Sequence, residues 1–458
     1  MDFLSKAFAN LLVSALFFFA TNQAFAAQAG CISKDQIGKI AAHFTQFQNL
    51  AGKDYCYDGS NTAYLIEGLM FMQQTTFTSA MPTSHDQLFS GSFTSDWWNY
   101  FINRIDELNI QTNCPTGAAA YVTYFTGHTM YVCPLMLTPS FSALDRASIM
   151  MHEARHIDGY PHMTCTHGVR KGIQGACDNA ITDKGSYAVT VETYAQMGKY
   201  ATNVNPALMA YARGSAVIYA DEAFEQTVNI DREQQFLLMT NDLEFHGFDA
   251  NAPSKGTSLG HSPAMGQIMV RASYYLIFPD DKTQPATFVF LNDAGPIVQA
   301  PGADALAYNQ MTPAEKAELV GIHYGGTWGG RVYKSKVSFS CGMGASATEL
   351  PVTGGIPVSI LYPNGYSREA FSTFMQMDNG SVYEFGCTNG KTPFITKSAP
   401  FDQIYKQMYM SAGTTVGLTF DGRLFKIANG VSSLIANPYN GTITELAPNQ
   451  VYGFFGVL

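Results

Sequence analysis

The chain has 458 residues, of which 46% are apolar and only 14% charged, with a net charge of −10. Such a length suits two or three domains with a sizeable core, and the apolar content excludes a wholly disordered chain. The negative charge and the lack of any basic run exclude nucleic acid and anionic membrane surfaces as expected partners.

Residues 1–26 read as a secretory signal peptide. Lys6 precedes the apolar run Leu11 to Ala20, and Ala24-Phe25-Ala26 puts small residues at the positions a signal peptidase inspects. The run is too short for a permanent bilayer span. The mature chain is therefore expected to be exported, secreted or periplasmic, with no integral membrane segment. Gln28-Ala29-Gly30-Cys31 faintly resembles a lipoprotein cleavage box, but lipidating Cys31 would leave an odd number of cysteines. Cys31, Cys56, Cys114, Cys133, Cys165, Cys177, Cys341 and Cys387 fall in consecutive pairs separated by 25, 19, 12 and 46 residues. In an oxidising compartment four sequential disulfides are the simplest pairing, although spacing alone leaves connectivity open.

In chain order, Ser33 opens an amphipathic helix with Ile37, Ile40, Ala41, Phe44, Phe47 and Leu50 on one face. Further helical patterns run from Asn61 to Gln74 and from Ser95 to Leu108. Ala120 to Phe125 and Thr129 to Cys133 read as a hairpin through Thr126-Gly127-His128. Pro139-Ser140 marks a break, and Ser142 with Asp145 is a capping pair for the next helix, through Ile149, Met150 and Met151. Helical patterns recur from Tyr187 to Tyr200, Pro206 to Gln226 and Arg232 to Leu243.

Beyond about residue 265 the texture is strand-like, with one short helix expected over Thr312 to Val320. A weak repeat links Gly330-Arg331-Val332-Tyr333-Lys334, Gly380-Ser381-Val382-Tyr383-Glu384 and Gly422-Arg423-Leu424-Phe425-Lys426. Its spacing is in the range of propeller blades, but three copies are too few for a ring, so a small hairpin-based β module is expected. Gly325-Gly326-Thr327-Trp328-Gly329-Gly330 lacks a lysine and a following helix, so it reads as a loop rather than a phosphate cradle.

The chemistry concentrates in Met151-His152-Glu153-Ala154-Arg155-His156-Ile157-Asp158-Gly159-Tyr160-Pro161-His162. His152 and His156 are four residues apart, so both imidazoles can face one ion from one side of a helix. Glu153 is placed to act on a water rather than on the metal. Gly159 and Pro161 end the helix, so His162 can fold back towards the same ion. Three neutral imidazoles with one open position make a catalytic rather than a structural zinc site. His167 would compete for the ion, but it sits beside Cys165 in a loop expected to be pinned by a Cys165–Cys177 bridge. Asp158 could orient a histidine without touching the metal.

HEARHIDGYPH resembles the HExxHxxGxxH motif of the metzincin zinc peptidases, and the preceding hairpin-then-helix order is similar to zincins generally. The resemblance implies zinc on His152, His156 and His162, Glu153 as general base, and a protein or peptide substrate. It also implies that Thr129 to Cys133 is the edge strand lining the substrate cleft. For the family's downstream methionine turn, Met197 lies in a helical pattern and Met209 is no better placed. Other third ligands therefore stay open. Glu192 lies 36 residues after His156, as in a gluzincin arrangement, and Asp178 and Asp183 precede Ser186-Tyr187, which is vaguely similar to the aspzincins.

The sequence thus leads to an α+β expectation: a zincin-like catalytic domain over residues 27–310, with 27–110 its helical N-terminal part, and an all-β accessory module over 311–458. The expected function is zinc-dependent peptide hydrolysis. The competing expectation is a non-catalytic secreted binding protein that uses the β module, with a structural or vestigial metal site.

Overall fold

The computed structural model describes residues 31–449 except 79–95, 116–117, 124–126, 139–140, 167–169, 231–234, 254–255, 272–273, 293–294, 300–307, 325–327, 342–345, 365–371, 389 and 412. The signal peptide, the lipoprotein-like box before Cys31, Pro139-Ser140, His167 and Gly325-Gly326-Thr327 lie outside the described residues.

The first part is rich in helices. β1 (Cys31–Ile32) pairs with β2 (Tyr55–Cys56), and between them runs α1 (Lys34–His43), opened by a capping box between Ser33 and Gln36. α2 (Asn61–Gln74) starts where Ser60 accepts the Ala63 amide, and α3 (Trp97–Ile102) where Asp96 accepts the Asn99 amide. The helix expected to reach Leu108 stops early, because the chain turns into a strand there. β3 (Glu107–Ile110), β4 (Ala120–Val122) and β5 (Thr129–Val132) form a sheet in the order β3-β5-β4. β5 is therefore its central strand and not the edge expected for Thr129 to Cys133; β4 is at the edge. α4 (Ala143–Ile157), α5 (Ser186–Tyr200) and α6 (Pro206–Glu222) complete this part.

From Phe236 the chain is almost entirely strands. β6 (Phe236–Thr240), β7 (Glu244–Phe248) and β8 (Thr257–His261) are followed by four further groups of strands. These are β9 (Gly266–Arg271), β10 (Tyr274–Pro279), β11 (Thr287–Asn292) and β12 (Gly295–Gln299), then, after α7 (Pro313–Glu318), β13 (Leu319–Tyr324), β14 (Trp328–Tyr333), β15 (Lys336–Cys341) and β16 (Thr348–Pro351). Next come β17 (Pro357–Leu361), β18 (Ser372–Met377), β19 (Val382–Thr388) and β20 (Thr392–Ser398). Last are β21 (Tyr405–Ser411), β22 (Thr414–Thr419), β23 (Leu424–Ala428), β24 (Val431–Ile435) and β25 (Ile443–Pro448).

Each group is a four-stranded antiparallel meander, and β25 returns to complete the first as β25-β6-β7-β8. The first strands of the sheets lie side by side: β25 next to β9 and β21, and β17 between β13 and β21. Gly321 of β13 lies beside Gln267 of β9, which completes the circle. Among the described residues, five four-stranded blades stand around a centre, one of them built from both ends of the segment, and this arrangement is a β-propeller.

This corrects the expected fold class. The described structure is mostly strands in several small sheets, not an α+β zincin-like domain with a small hairpin module. The expected boundary at 310/311 falls between two blades of one ring. Two features hid the ring. The repeat glycines Gly380 and Gly422 stand in blade turns, both with positive φ, whereas in the first blade the matching turn puts Leu243 at φ 71°. The two ends are still alike, since Thr240 Oγ1 donates to Asp242 at 2.6 Å and Thr419 Oγ1 donates to Asp421 at 2.5 Å. The second feature is that β6 is a continuous apolar run, which periodicity cannot tell from a buried helix, and the Arg232 to Leu243 pattern read as one.

That run has a reason. Phe236 and Leu238 face the core of the ring, while Leu237 and Met239 face the core shared with the helices. A strand buried on both faces has no polar alternation to display. α6 is likewise buried on most sides, against α5 on one flank and β8, β11 and β12 on the other. Asn449 Nδ2 donates to the Ala210 carbonyl at 2.7 Å, and Tyr275 donates to Asn449 Oδ1 at 2.9 Å, which ties this helix to the ring.

All four disulfides follow the sequential pairing: Cys31–Cys56, Cys114–Cys133, Cys165–Cys177 and Cys341–Cys387. The last joins β15 to β19 across two blades. Disulfides in this number fit an extracellular, oxidising location. No helix among the described residues is long and apolar enough to cross a membrane.

The ring is sealed by side chains of the last strand. Buried Glu445 accepts from Lys406 Nζ and Gln407 Nε2, each at 2.6 Å, and Gln407 Oε1 accepts the Leu446 amide at 2.6 Å. Leu446→Ala, at a fully buried position of this seal, is expected to cost about 2–5 kcal/mol, read as a lower denaturant midpoint. An unfolding curve that matches the native protein would show that closure through β25 contributes little.

Candidate metal centre

The site is assembled around α4. Ser142 Oγ accepts the Asp145 amide at 3.1 Å, and Asp145 Oδ2 accepts the Ser142 amide at 2.9 Å, the reciprocal cap foreseen from the sequence. Asp145 Oδ1 also accepts the hydroxyls of Tyr194 and Tyr211, each at 2.7 Å. One buried carboxylate thus fixes the start of α4 to both α5 and α6. At the other end, Gly159 takes φ 87°, and the chain doubles back through Tyr160 and Pro161 to His162.

His152, His156 and His162 each bring one ring nitrogen within 4.8 Å of the other two. The Nε2 atoms of His152 and His162 lie 2.9 Å apart. The opposite nitrogens are all occupied. His156 Nδ1 is 2.6 Å from the Tyr160 carbonyl oxygen, which can only accept, so this nitrogen carries the hydrogen. His162 Nδ1 donates to Asp178 Oδ1 at 2.8 Å. His152 Nδ1 is 2.9 Å from Thr190 Oγ1, whose own hydrogen goes to the Ser186 carbonyl at 3.3 Å, so here too Nδ1 donates. With Nδ1 committed in each ring, the Nε2 atoms turn towards one another, and those of His152 and His162 converge closely enough to share one proton or to ligate one cation. Burial, then the neighbouring imidazoles, hold His152 well below its ordinary pKa, and burial with His162 takes His156 down to about 4. Imidazoles fixed from behind through Nδ1 present Nε2 in the way a divalent transition metal requires.

Glu153 lies beside them on α4, 7% exposed and covered by the edge strand β4. Burial pushes its carboxyl up to about 8, against a backbone hydrogen bond from Val122. Tyr187, at the start of α5, packs its ring 4.9 Å from that of His152 and 4.4 Å from that of His162. Its far side meets the buried Arg170, which pairs with Glu222 at 3.3 Å.

The other candidates go elsewhere. Glu192 is buried and accepts from Gln196 Nε2 at 2.7 Å, in a chain that continues to Trp97, and it is not part of the histidine group. Asp183 caps a 3-10 turn by accepting the Ala180 amide at 3.1 Å. Asp178 holds His162 and accepts the Tyr187 amide at 2.9 Å. It supports a histidine, the role considered for Asp158, which instead lies between Arg104 and Arg155 at 2.9 and 2.7 Å. Met197 is buried in the core. Sequence reading missed Thr190 and Arg170, and took up Ser186 only with Tyr187 in the likeness to aspzincins. Ser186 and Thr190, four residues apart on α5, present one face to α4, with Ser186 Oγ 3.0 Å from His156 Nδ1. That spacing was the available signal; for Arg170 there was none.

No protein-family model matches the chain, and no curated protein matches it. Among solved structures it is similar to apo AztD from Citrobacter koseri, at 10% identity and a TM-score of 0.21, over 47% of this chain and 60% of that one. It is also similar to the Cps50 (Swd1) β-propeller domain of Myceliophteria thermophila, at 11% identity and a TM-score of 0.26, over 45% and 87% of the two chains. A third is the Pan2 WD40 domain of Neurospora crassa, at 8% identity and a TM-score of 0.23, over 48% and 58%. The propeller assignment rests on the strand order and closure described above.

Gly159→Ala forces a Cβ into left-handed backbone at the hinge before His162 and is expected to cost about 1–2 kcal/mol. Equilibrium unfolding checks this; an unchanged midpoint would mean the hinge relaxes freely.

Proposed function

We propose that the protein is an exported zinc-dependent hydrolase of peptide bonds, carried to its compartment by the signal peptide over residues 1–26. The observation that carries the reading is the convergence of three imidazoles, each committed through Nδ1, beside the buried carboxyl of Glu153. A zinc ion held there supplies Lewis acidity, polarising a carbonyl and rendering water acidic near neutral pH. His152, His156 and His162 would hold it, and the all-nitrogen set favours zinc over calcium or magnesium, which take oxygen ligands. Glu153 takes the proton of the attacking water and delivers it to the leaving amine nitrogen as the C–N bond breaks. The apolar surroundings of Glu153 make it basic enough for the first transfer and acidic enough for the second.

Peptide as the substrate class is supported by the metzincin-like motif and by β4, an outer strand of the three-stranded sheet that, among the described residues, has no further strand beside it and can add an extended chain next to Glu153. A second reading, a partner-holding role for the propeller, is favoured by Val431 and Leu434, which are 69% and 64% exposed on the outermost strand of its blade.

Glu153→Gln is expected to lower hydrolysis of an unfolded protein by about 10²–10⁴-fold while zinc content and folding stay near native. Native protein loaded with zinc yet inert towards a broad peptide library would overturn the enzyme reading and leave the binding role. Asp178→Asn removes the carboxylate behind His162 and is expected to weaken zinc binding about 10–100-fold in a chelator competition. Unchanged affinity would remove His162 from the ligand set.

A further inference from the structure

His152 and His156 stand on a helix fixed at both ends, whereas His162 stands on an irregular segment. Between Asp158 and Gly185 the described chain has only isolated bridges and one 3-10 turn. Within that segment the Cys165–Cys177 disulfide joins residues 12 apart, and both cysteines are 1% exposed. Beside it, Met163 and Cys177 form a bridge pair: the Met163 amide donates to the Cys177 carbonyl at 2.8 Å and the Cys177 amide to the Met163 carbonyl at 3.3 Å. His162 directly precedes Met163, and Asp178 directly follows Cys177. The cross-link therefore sets two chain positions opposite each other, and the outcome is the His162–Asp178 contact at 2.8 Å.

We propose that the Cys165–Cys177 disulfide gates metal loading: its oxidation positions the third histidine and that histidine's carboxylate partner together. The proposal rests on the metal reading of the histidine trio and adds its regulation. While the two thiols are reduced, the helix offers only His152 and His156 in fixed positions, and two ligands hold a divalent ion weakly. Oxidation joins the two sulfurs. The two thiols lose two electrons and two protons to an oxidising protein disulfide, which is itself reduced to a dithiol. The ordering of the segment is then complete before the ion arrives, so the ion does not bear that entropic cost. The chain stays metal-poor in a reducing compartment and becomes competent once exported.

Other contacts also hold this segment. Arg170 Nη1 donates to the Ala176 carbonyl at 3.2 Å, and the Thr166 amide donates to Glu225 at 2.7 Å. If these suffice, the disulfide is dispensable for the metal, and the experiment separates the two cases. Zinc affinity is measured by chelator competition for the native chain, for Cys165→Ser/Cys177→Ser and for Cys341→Ser/Cys387→Ser, which removes a disulfide from the ring instead. The expected result is a loss of about 10–100-fold in the first variant and native affinity in the second. Native affinity in the first, or an equal loss in both, overturns the gate while leaving the trio as a metal site. A native chain that binds no zinc overturns the trio itself and the gate with it.

Should the first variant fail to fold, the native chain answers through reciprocity, because a disulfide that favours the ion must be favoured by it to the same degree. In a dithiol redox buffer, zinc is expected to raise the oxidised fraction of Cys165–Cys177, read by thiol labelling and mass spectrometry, and to leave Cys341–Cys387 unchanged. The opposite shift has a structural source, since one oxygen of Glu225 and the two sulfurs lie within 4.8 Å of one another and could themselves take an ion once reduced. A shift towards the reduced form, or none, overturns the proposal.

Discussion

The pairing of β25 with β6 is the constraint on which the rest depends. It joins residues about two hundred positions apart in sequence, and such a contact forms only at a large cost in loop-closure entropy. The cost is met because β6 is a wall common to two cores. Phe236 and Leu238 pack into the ring, and Leu237 and Met239 pack against the helices and the second blade. Without β25 the first blade lacks its innermost strand, the buried edge of β6 loses its hydrogen-bond partners, and α6 loses the Asn449 tie that follows β25.

That coupling reaches the histidines through few intermediates. α6 packs along α5, α5 supplies Thr190 and Ser186 behind two of the imidazoles, and Asp145 fixes α4 to both helices. The ligand helix is thus clamped at its start by a buried carboxylate, while the histidine beyond its end is held by a loop and a disulfide. Two ligands come from rigid structure and one from a stapled segment. The difference is why the disulfide carries more meaning here than the one between blades.

Local signals were legible where one stretch of chain decides its own conformation. Ser142 with Asp145, Ser33 with its helix, and Gly159 at the hinge act within a few residues, so the reciprocal caps and the positive φ match the sequence reading. The sequential disulfides were the simplest pairing, since neighbouring cysteines close the shortest loops, but the folded chain is what brings Cys341 of one blade to Cys387 of the next. The ring was not legible. Its turns need not contain glycine, as Leu243 shows, its first blade is split between the ends of the segment, and β6 shows none of the alternation that marks a half-exposed strand. The edge strand was misplaced for a similar reason: β3 pairs in parallel with β5, a contact between segments that no turn connects.

By itself the sequence determined the histidine pair on one helical face, Glu153 beside it and the hinge after it, because each follows from spacing along a single local element. Tertiary structure alone decided that Asp178 stands behind His162, that Glu192 and Asp183 are engaged elsewhere, and that the C-terminal strand closes a five-bladed ring. Those outcomes depend on which distant surfaces bury one another, and burial is a property of the whole packed chain rather than of any window of it.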